Sequence, residues 1–191
     1  MRKGMGKILP VLLLLVVHIA SCNGPVPRHY EKDAKGVTLD RFNGIPVYRN
    51  TNITGKRRHL ATDGYNYGLK WQCVEFVKRY YHDYLHHRMP DGWGHARDFF
   101  DKRVPDGGLN KRRNLLQFTN GSKSKPQVND ILVFDFGRYG HVAIVSKVEA
   151  TGLEVVQQNM GHRTRERFRI YRRDGKWYVD DDSVLGWLRK Q

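Results

Sequence analysis

The chain has 191 residues with 34 Lys or Arg against 19 Asp or Glu, a formal charge of +15, and only two cysteines, Cys22 and Cys73. That length, less its leader, makes one domain with one real core. The basic residues are scattered (Arg57-Arg58, Lys111-Arg112-Arg113, Arg172-Arg173), which excludes a recognition helix or an aromatic RNA-binding strand and leaves no nucleic-acid partner.

Residues 1–21 open with Arg2, Lys3 and Lys7, run through Ile8 to Val17 with little interruption, and end on the small residues Ala20 and Ser21. A positive start, a short apolar stretch and a small-residue end make a signal peptide, too short for a comfortable membrane span. Ile19-Ala20-Ser21-Cys22 resembles the bacterial lipobox, which implies that Cys22 is lipidated and becomes the first mature residue. The alternative is an ordinary secretory signal in which Cys22 is incidental. Asn23, not an acidic residue, follows Cys22, so the expected location is the bacterial cell envelope, lipid-anchored on the periplasmic face, with outer-membrane sorting favoured. Removal of residues 1–21 leaves 170 residues and a charge of +12. That charge suits an anionic surface such as peptidoglycan or anionic lipid.

Residues 22–36 are polar, carry two prolines and read as a flexible tether; the domain spans 37–191. Ile45-Pro46-Val47-Tyr48 is a short extended piece, and Asn50 to Gly64 is expected to be loop. From Cys73 the apolar residues Phe76, Val77, Tyr80, Tyr81, Tyr84 and Leu85 recur at helical spacing. Glu75, Lys78, Arg79 and Asp83 are placed on the opposite face, with Pro90-Asp91-Gly92 as the terminator. A second short helix is predicted over Ala96–Lys102. Beyond Asp130 the grammar is that of strands: 131–134, 142–145 and 153–156 are apolar runs. Residues 169–179 form a hairpin on an Asp174-Gly175 turn, and 185–188 closes the chain. Helices first and a meandering sheet afterwards give an α+β domain.

Cys73 stands where irregular sequence gives way to helix, so converging backbone N–H groups are expected to favour its thiolate. His141 opens an apolar strand, and Gln157-Gln158-Asn159 ends another. Cysteine, base and polar orienter in that order make the constellation of a cysteine amidase or peptidase. His82, His86 and His95 lack a metal-site pattern and read as solvent-facing; no metal and no cofactor is expected. Strand alternation places Gln157 and Asn159 on one face and Gln158 on the other.

The blocks Trp71-Gln72-Cys73-Val74-Glu75-Phe76, Gly140-His141-Val142-Ala143-Ile144 and Gln158-Asn159 resemble the CHAP family of amidases, in the papain-like NlpC/P60 group. Within it the likeness is to the amidase domain of glutathionylspermidine synthetase/amidases, with Phe118-Thr119-Asn120-Gly121-Ser122 and Leu185-Gly186-Trp187 fitting as well. The resemblance implies a papain-like fold, with N-terminal helices carrying Cys73 packed on an antiparallel sheet carrying His141. It implies Cys73 as nucleophile, His141 as base and acid, and Gln157 at a position where the family commonly has Glu. Asn159 is the other orienter, and the backbone N–H of Cys73 with a group from Gln72 are the oxyanion donors. The expected activity is hydrolysis of amide bonds in peptidoglycan by a monomeric, lipid-anchored enzyme. Amidase action on glutathionylspermidine-like conjugates, or an inactive wall-binding lipoprotein, are the alternatives.

Overall fold

The structure is a computed structural model and describes residues 36–51, 56–92 and 94–191. The signal peptide, Cys22 and the tether up to residue 35 lie outside the described residues.

Two small hairpins come first. Strands β1 (Thr38–Phe42) and β2 (Ile45–Tyr48) turn at Asn43-Gly44, both at positive φ (47° and 81°), as a two-residue hairpin requires. Strands β3 (Arg58–Leu60) and β4 (Asn66–Leu69) form the second, so part of the expected 50–64 loop is strand. Helix α1 (Cys73–Asp83) follows, then a single 3-10 turn over Ala96–Phe99.

The rest is sheet. Strands β5 (Gly108–Asn110), β6 (Leu115–Thr119), β7 (Ile131–Phe134), β8 (His141–Val148), β9 (Gly152–Val156), β10 (Arg165–Arg173), β11 (Lys176–Val179) and β12 (Val184–Arg189) build eight antiparallel strands. Their spatial order is β11-β10-β9-β8-β7-β12-β6-β5, with the last strand of the chain inserted between β7 and β6. The β10–β11 hairpin turns on Asp174 and Gly175, both at positive φ, as the Asp-Gly pair predicts.

Alternation sorts the apolar runs into two cores. Ile131, Val133, Val142, Ile144 and Val156 face α1 and pack with Phe76, Val77, Tyr80 and Tyr81. Leu132, Phe134, Ala143, Val145 and Val155 face the other way and pack with Ile170, Val179 and Trp187. The members of that second core all come from strands, because the sheet curls over it. Gly121 N–H donates to the Trp177 carbonyl and Asn120 bonds Val179 twice, drawing the β11 edge to the end of β6. Both faces of β7 and β8 are therefore covered, which is why they read as unbroken apolar runs.

Three expectations are corrected. The helix stops at Asp83, well before Pro90. His86 takes a left-handed conformation (φ 51°) and His87 N–H bonds back to the Tyr81 carbonyl, closing the last turn. The helices expected at the N-terminal end are, among the described residues, one α-helix and one 3-10 turn, since Phe100 is already extended and Asp101 N–H is taken by Gln117 of β6. The supposed polar face of α1 is buried: Glu75, Lys78 and Arg79 are at most 1% exposed. The hairpins cover it, and the Lys78 ammonium donates to the Asn66 carbonyl at 2.6 Å and lies over the Tyr65 ring. Burial pulls the Lys78 pKa down to about 8.

Gly186 carries the tightest constraint in the sheet. Its φ is 154°, and a Cβ there would lie 2.0 Å from the Phe118 carbonyl oxygen of the neighbouring strand. Gly186→Ala should cost about 2–5 kcal/mol through strain and overpacking. Chemical denaturation measures it; a loss under ~0.5 kcal/mol would show that the β6–β12 approach relaxes freely.

Candidate active site

The approach to Cys73 is strained. Trp71 sits at φ 63°, a region unfavourable for a bulky side chain, and turns the chain from β4 into α1. Its ring offsets that cost by packing on Tyr48 at 4.2 Å and His59 at 5.3 Å. The turn puts Cys73 at the first helical position, with its thiol buried against the sheet. There the backbone N–H groups of Cys73, Val74 and Val142 act on the sulfur to lower its pKa. Val142 is the residue after His141, so the helix start and the start of β8 meet at this sulfur.

His141 is 4% exposed, with the Phe136 ring stacked beside it at 5.5 Å. Its Nε2 is 2.9 Å from the Gln157 side-chain oxygen. That oxygen can only accept, so Nε2 carries the proton and Nδ1 keeps the lone pair. Gln157 in turn donates from its amide nitrogen to Glu166 at 3.0 Å and to the Arg163 carbonyl at 3.4 Å. Glu166 was not singled out in the sequence; it lies nine positions after Gln157 and returns to it through the β9–β10 pairing.

Burial dominates the protonation of both groups. It pushes the Cys73 thiol up, against the lowering effect of its three backbone donors. It pulls His141 down to about 4, against the Gln157 hydrogen bond and the Glu166 charge. The helix-start effect expected to favour the thiolate is present but outweighed. Burial thus favours the neutral thiol and the neutral imidazole.

Gln158 and Asn159 pack on the Cys73 side of the site, through Gln72. The Gln158 nitrogen donates to the Gln72 carbonyl at 3.0 Å and to Glu75 at 2.7 Å; its oxygen accepts from Tyr48 N–H at 2.7 Å. Asn159 donates to the Gln72 side-chain oxygen at 2.6 Å and accepts from Asn50 at 2.8 Å. Asn159 is therefore a partner of Gln72 and not of His141. Strand alternation fails here because β9 ends at Val156 and Asn159 adopts φ 69°, turning its side chain to the side Gln158 faces. With the Gln72 oxygen held, its amide NH₂ points away from Asn159, available as a donor.

Glu75 anchors this cluster. It is wholly buried, ion-paired with Arg79 at 2.5 Å and 2.7 Å from His59 Nδ1. Burial alone would raise its pKa, but Arg79 and His59 hold it at about 2. Arg79 also donates to the Pro46 carbonyl of β2. Half-buried His82, by contrast with its solvent-facing expectation, lies between Asp63 and Asp83 and stacks on Tyr65. His86 and His95 are exposed.

Residues 63–159, slightly more than half the chain, match the CHAP domain family. Trypanothione synthetase of Crithidia fasciculata is 26% identical over 162 residues, covering 75% of this chain and 24% of that protein. The bifunctional glutathionylspermidine synthetase/amidase of Escherichia coli K12 is 29% identical over 138 residues, covering 63% and 22%. Glutathionylspermidine synthase of C. fasciculata is 33% identical over 212 aligned residues, covering 87% and 29%. The chain thus spans less than a third of the length of each of these relatives.

Glu75→Gln would leave the buried Arg79 charge uncompensated, at a cost of about 3–5 kcal/mol. The folded pKa of Glu75 lies below its unfolded value, so its contribution is full above the unfolded pKa and lost as pH falls towards 2. Urea unfolding across that acid range should show the loss in wild type and a reduced slope in Glu75→Gln. Equal slopes would mean that the ion pair does not contribute.

Proposed function

The chain belongs to the CHAP family, and on that premise we propose that it is a cysteine-dependent amidase or endopeptidase with Cys73 as nucleophile, His141 as base and Gln157 as orienter. The observation that supports this most is that the start of β8 brings the Val142 N–H to bear on the Cys73 sulfur, one residue after His141, whose imidazole is oriented by Gln157. Such an arrangement on an N-terminal helix against an antiparallel sheet is papain-like in plan.

The sulfur attacks the amide carbonyl carbon as its proton passes to His141 Nδ1. The resulting oxyanion takes hydrogen bonds from the Cys73 N–H and from the Gln72 amide nitrogen, whose other end Asn159 holds. Collapse breaks the C–N bond while His141 returns the proton to the leaving amine. Water, deprotonated by His141, then cleaves the thioester, releasing the carboxylic acid and restoring the thiol.

The substrate we favour is peptidoglycan, reached by a mature protein tethered to the cell envelope through lipidated Cys22. The lipobox-like Ile19-Ala20-Ser21-Cys22 and the +12 charge of residues 22–191 support it. A second reading, an amidase on glutathionylspermidine-like conjugates, is favoured by the name of the E. coli relative. A cationic polyamine fits poorly with so basic a chain, and the aligned segment is only 22% of that protein.

Purified sacculi and glutathionylspermidine, each incubated with the protein, discriminate by mass spectrometry of the products. New stem-peptide termini that vanish in Cys73→Ala are expected; cleavage of the conjugate alone would sink the wall reading. Gln72→Ala should lower kcat on the order of 10²–10³-fold with little change in KM. The pH profile of kcat/KM should fall on its acid side near pH 4, where buried His141 protonates, and hold through neutrality. An acid limb near the ordinary histidine value would mean a solvated imidazole.

A further inference from the structure

An amide side chain has two ends of the same shape and opposite hydrogen-bonding character, so whichever end faces His141 is decided by what holds the other. Around Gln157 the nitrogen end meets acceptors only: the Glu166 carboxylate and, more distantly, the Arg163 carbonyl. The opposite rotamer would set the NH₂ group against the imidazole and force Nε2 to accept. The proton would then move to Nδ1, leaving no base for the thiol.

We infer that Glu166 is a positioning residue for His141: its carboxylate locks the Gln157 amide, which fixes the imidazole in the Nε2–H tautomer. The inference rests on Cys73 and His141 being nucleophile and base. Glu166 is itself fixed, since its other oxygen accepts from the Arg163 guanidinium at 2.9 Å. A partly exposed Arg–Glu pair alone would contribute little. The contact to a 1%-exposed amide that touches the base is what distinguishes it. Among the described residues, the charged and titratable groups bonded along this chain of contacts are His141 of β8, Arg163 of the β9–β10 connection and Glu166 of β10, with Cys73 of α1 acted on by the Val142 N–H next to His141 in the chain. Across the amide, the Glu166 charge also favours the imidazolium that forms during acylation.

Two variants of the full chain test it. In Glu166→Ala only the weak Arg163 carbonyl contact remains, so the amide is free to reverse. Nitrogen chemical shifts of ¹⁵N-labelled imidazole should then show His141 moving from Nε2–H towards Nδ1–H. Alkylation of Cys73 by iodoacetamide at neutral pH should slow ~10-fold, within the range of lost base catalysis, and its midpoint should move to higher pH. The exchange Gln157→Glu with Glu166→Gln puts the carboxylate on the imidazole and the amide behind it. The imidazole again meets only acceptor oxygens, and the amide at 166 donates to them with the 157–166 bond reversed, so tautomer and alkylation should return. A wild-type tautomer in Glu166→Ala, or an exchange variant that folds and stays slow, overturns the inference. Neither measurement needs a substrate: a wild-type protein that cleaves no amide tested, yet shows these shifts, would sink the substrate reading alone. Alkylation unaffected by His141→Ala would instead sink the nucleophile–base reading beneath it.

Discussion

The buried ion pair of Glu75 with Arg79 is the interaction on which the rest of the site depends. Two charges removed from water are costly, and a plain apolar pair of similar volume would serve stability as well or better. What the pair supplies is connection. Arg79 reaches the Pro46 carbonyl of β2, Glu75 takes His59 from β3 and Gln158 from beyond β9, and Gln158 closes on the Gln72 carbonyl one residue before Cys73. Four chain segments far apart in sequence are thus held in register at the first turn of α1. Hydrophobic contacts with Phe76 and Val77 press the helix onto the sheet, but they are not directional. The hydrogen-bonded charges fix where along the sheet Cys73 lands.

That placement also buries Cys73 and His141, and burial sets their protonation. Burial pushes thiol and imidazole towards their neutral forms, by opposite shifts. Phe136, stacked beside His141 and itself partly exposed, forms part of the wall between the imidazole and solvent. Its loop is held by the 3-10 turn through Arg97, which pairs with Asp135 and donates to the Gly137 carbonyl.

Much of this was legible in the residues, and where it was not the reason is physical. Strands β7, β8, β9 and the β10–β11 hairpin announce themselves by apolar runs and an Asp-Gly turn, because local pattern and burial agree there. Cys73, His141 and Gln157 stand out for a related reason: each lies at the start or just past the end of a regular element. Strands β3 and β5 are three residues long and exist through pairing with partners that no local pattern names. The charged face of α1 reads as solvent-facing unless Gln158, 83 positions beyond Glu75, is known to return to it. Asn159 was assigned to the wrong neighbour because alternation assumes a strand, and the left-handed residue ends that assumption.

Gln157 and Glu166 are best understood together. Within hydrogen-bond distance of each other in a mostly buried setting, two carboxylates would repel, and one would have to hold a proton at neutral pH. A glutamate at 157 facing Glu166 would therefore become a protonated acid or push its neighbour away, and either outcome loosens the imidazole. An amide removes the conflict: its nitrogen satisfies the carboxylate behind it and its oxygen satisfies the His141 imidazole in front. A negative charge is kept in the relay, displaced outward by the length of one side chain to a place where Arg163 and solvent share it. The amide at 157 and the carboxylate on the next strand thus form one unit. With Glu166 behind it, Gln157 keeps its oxygen directed at His141 and has a negative charge within one side chain of it.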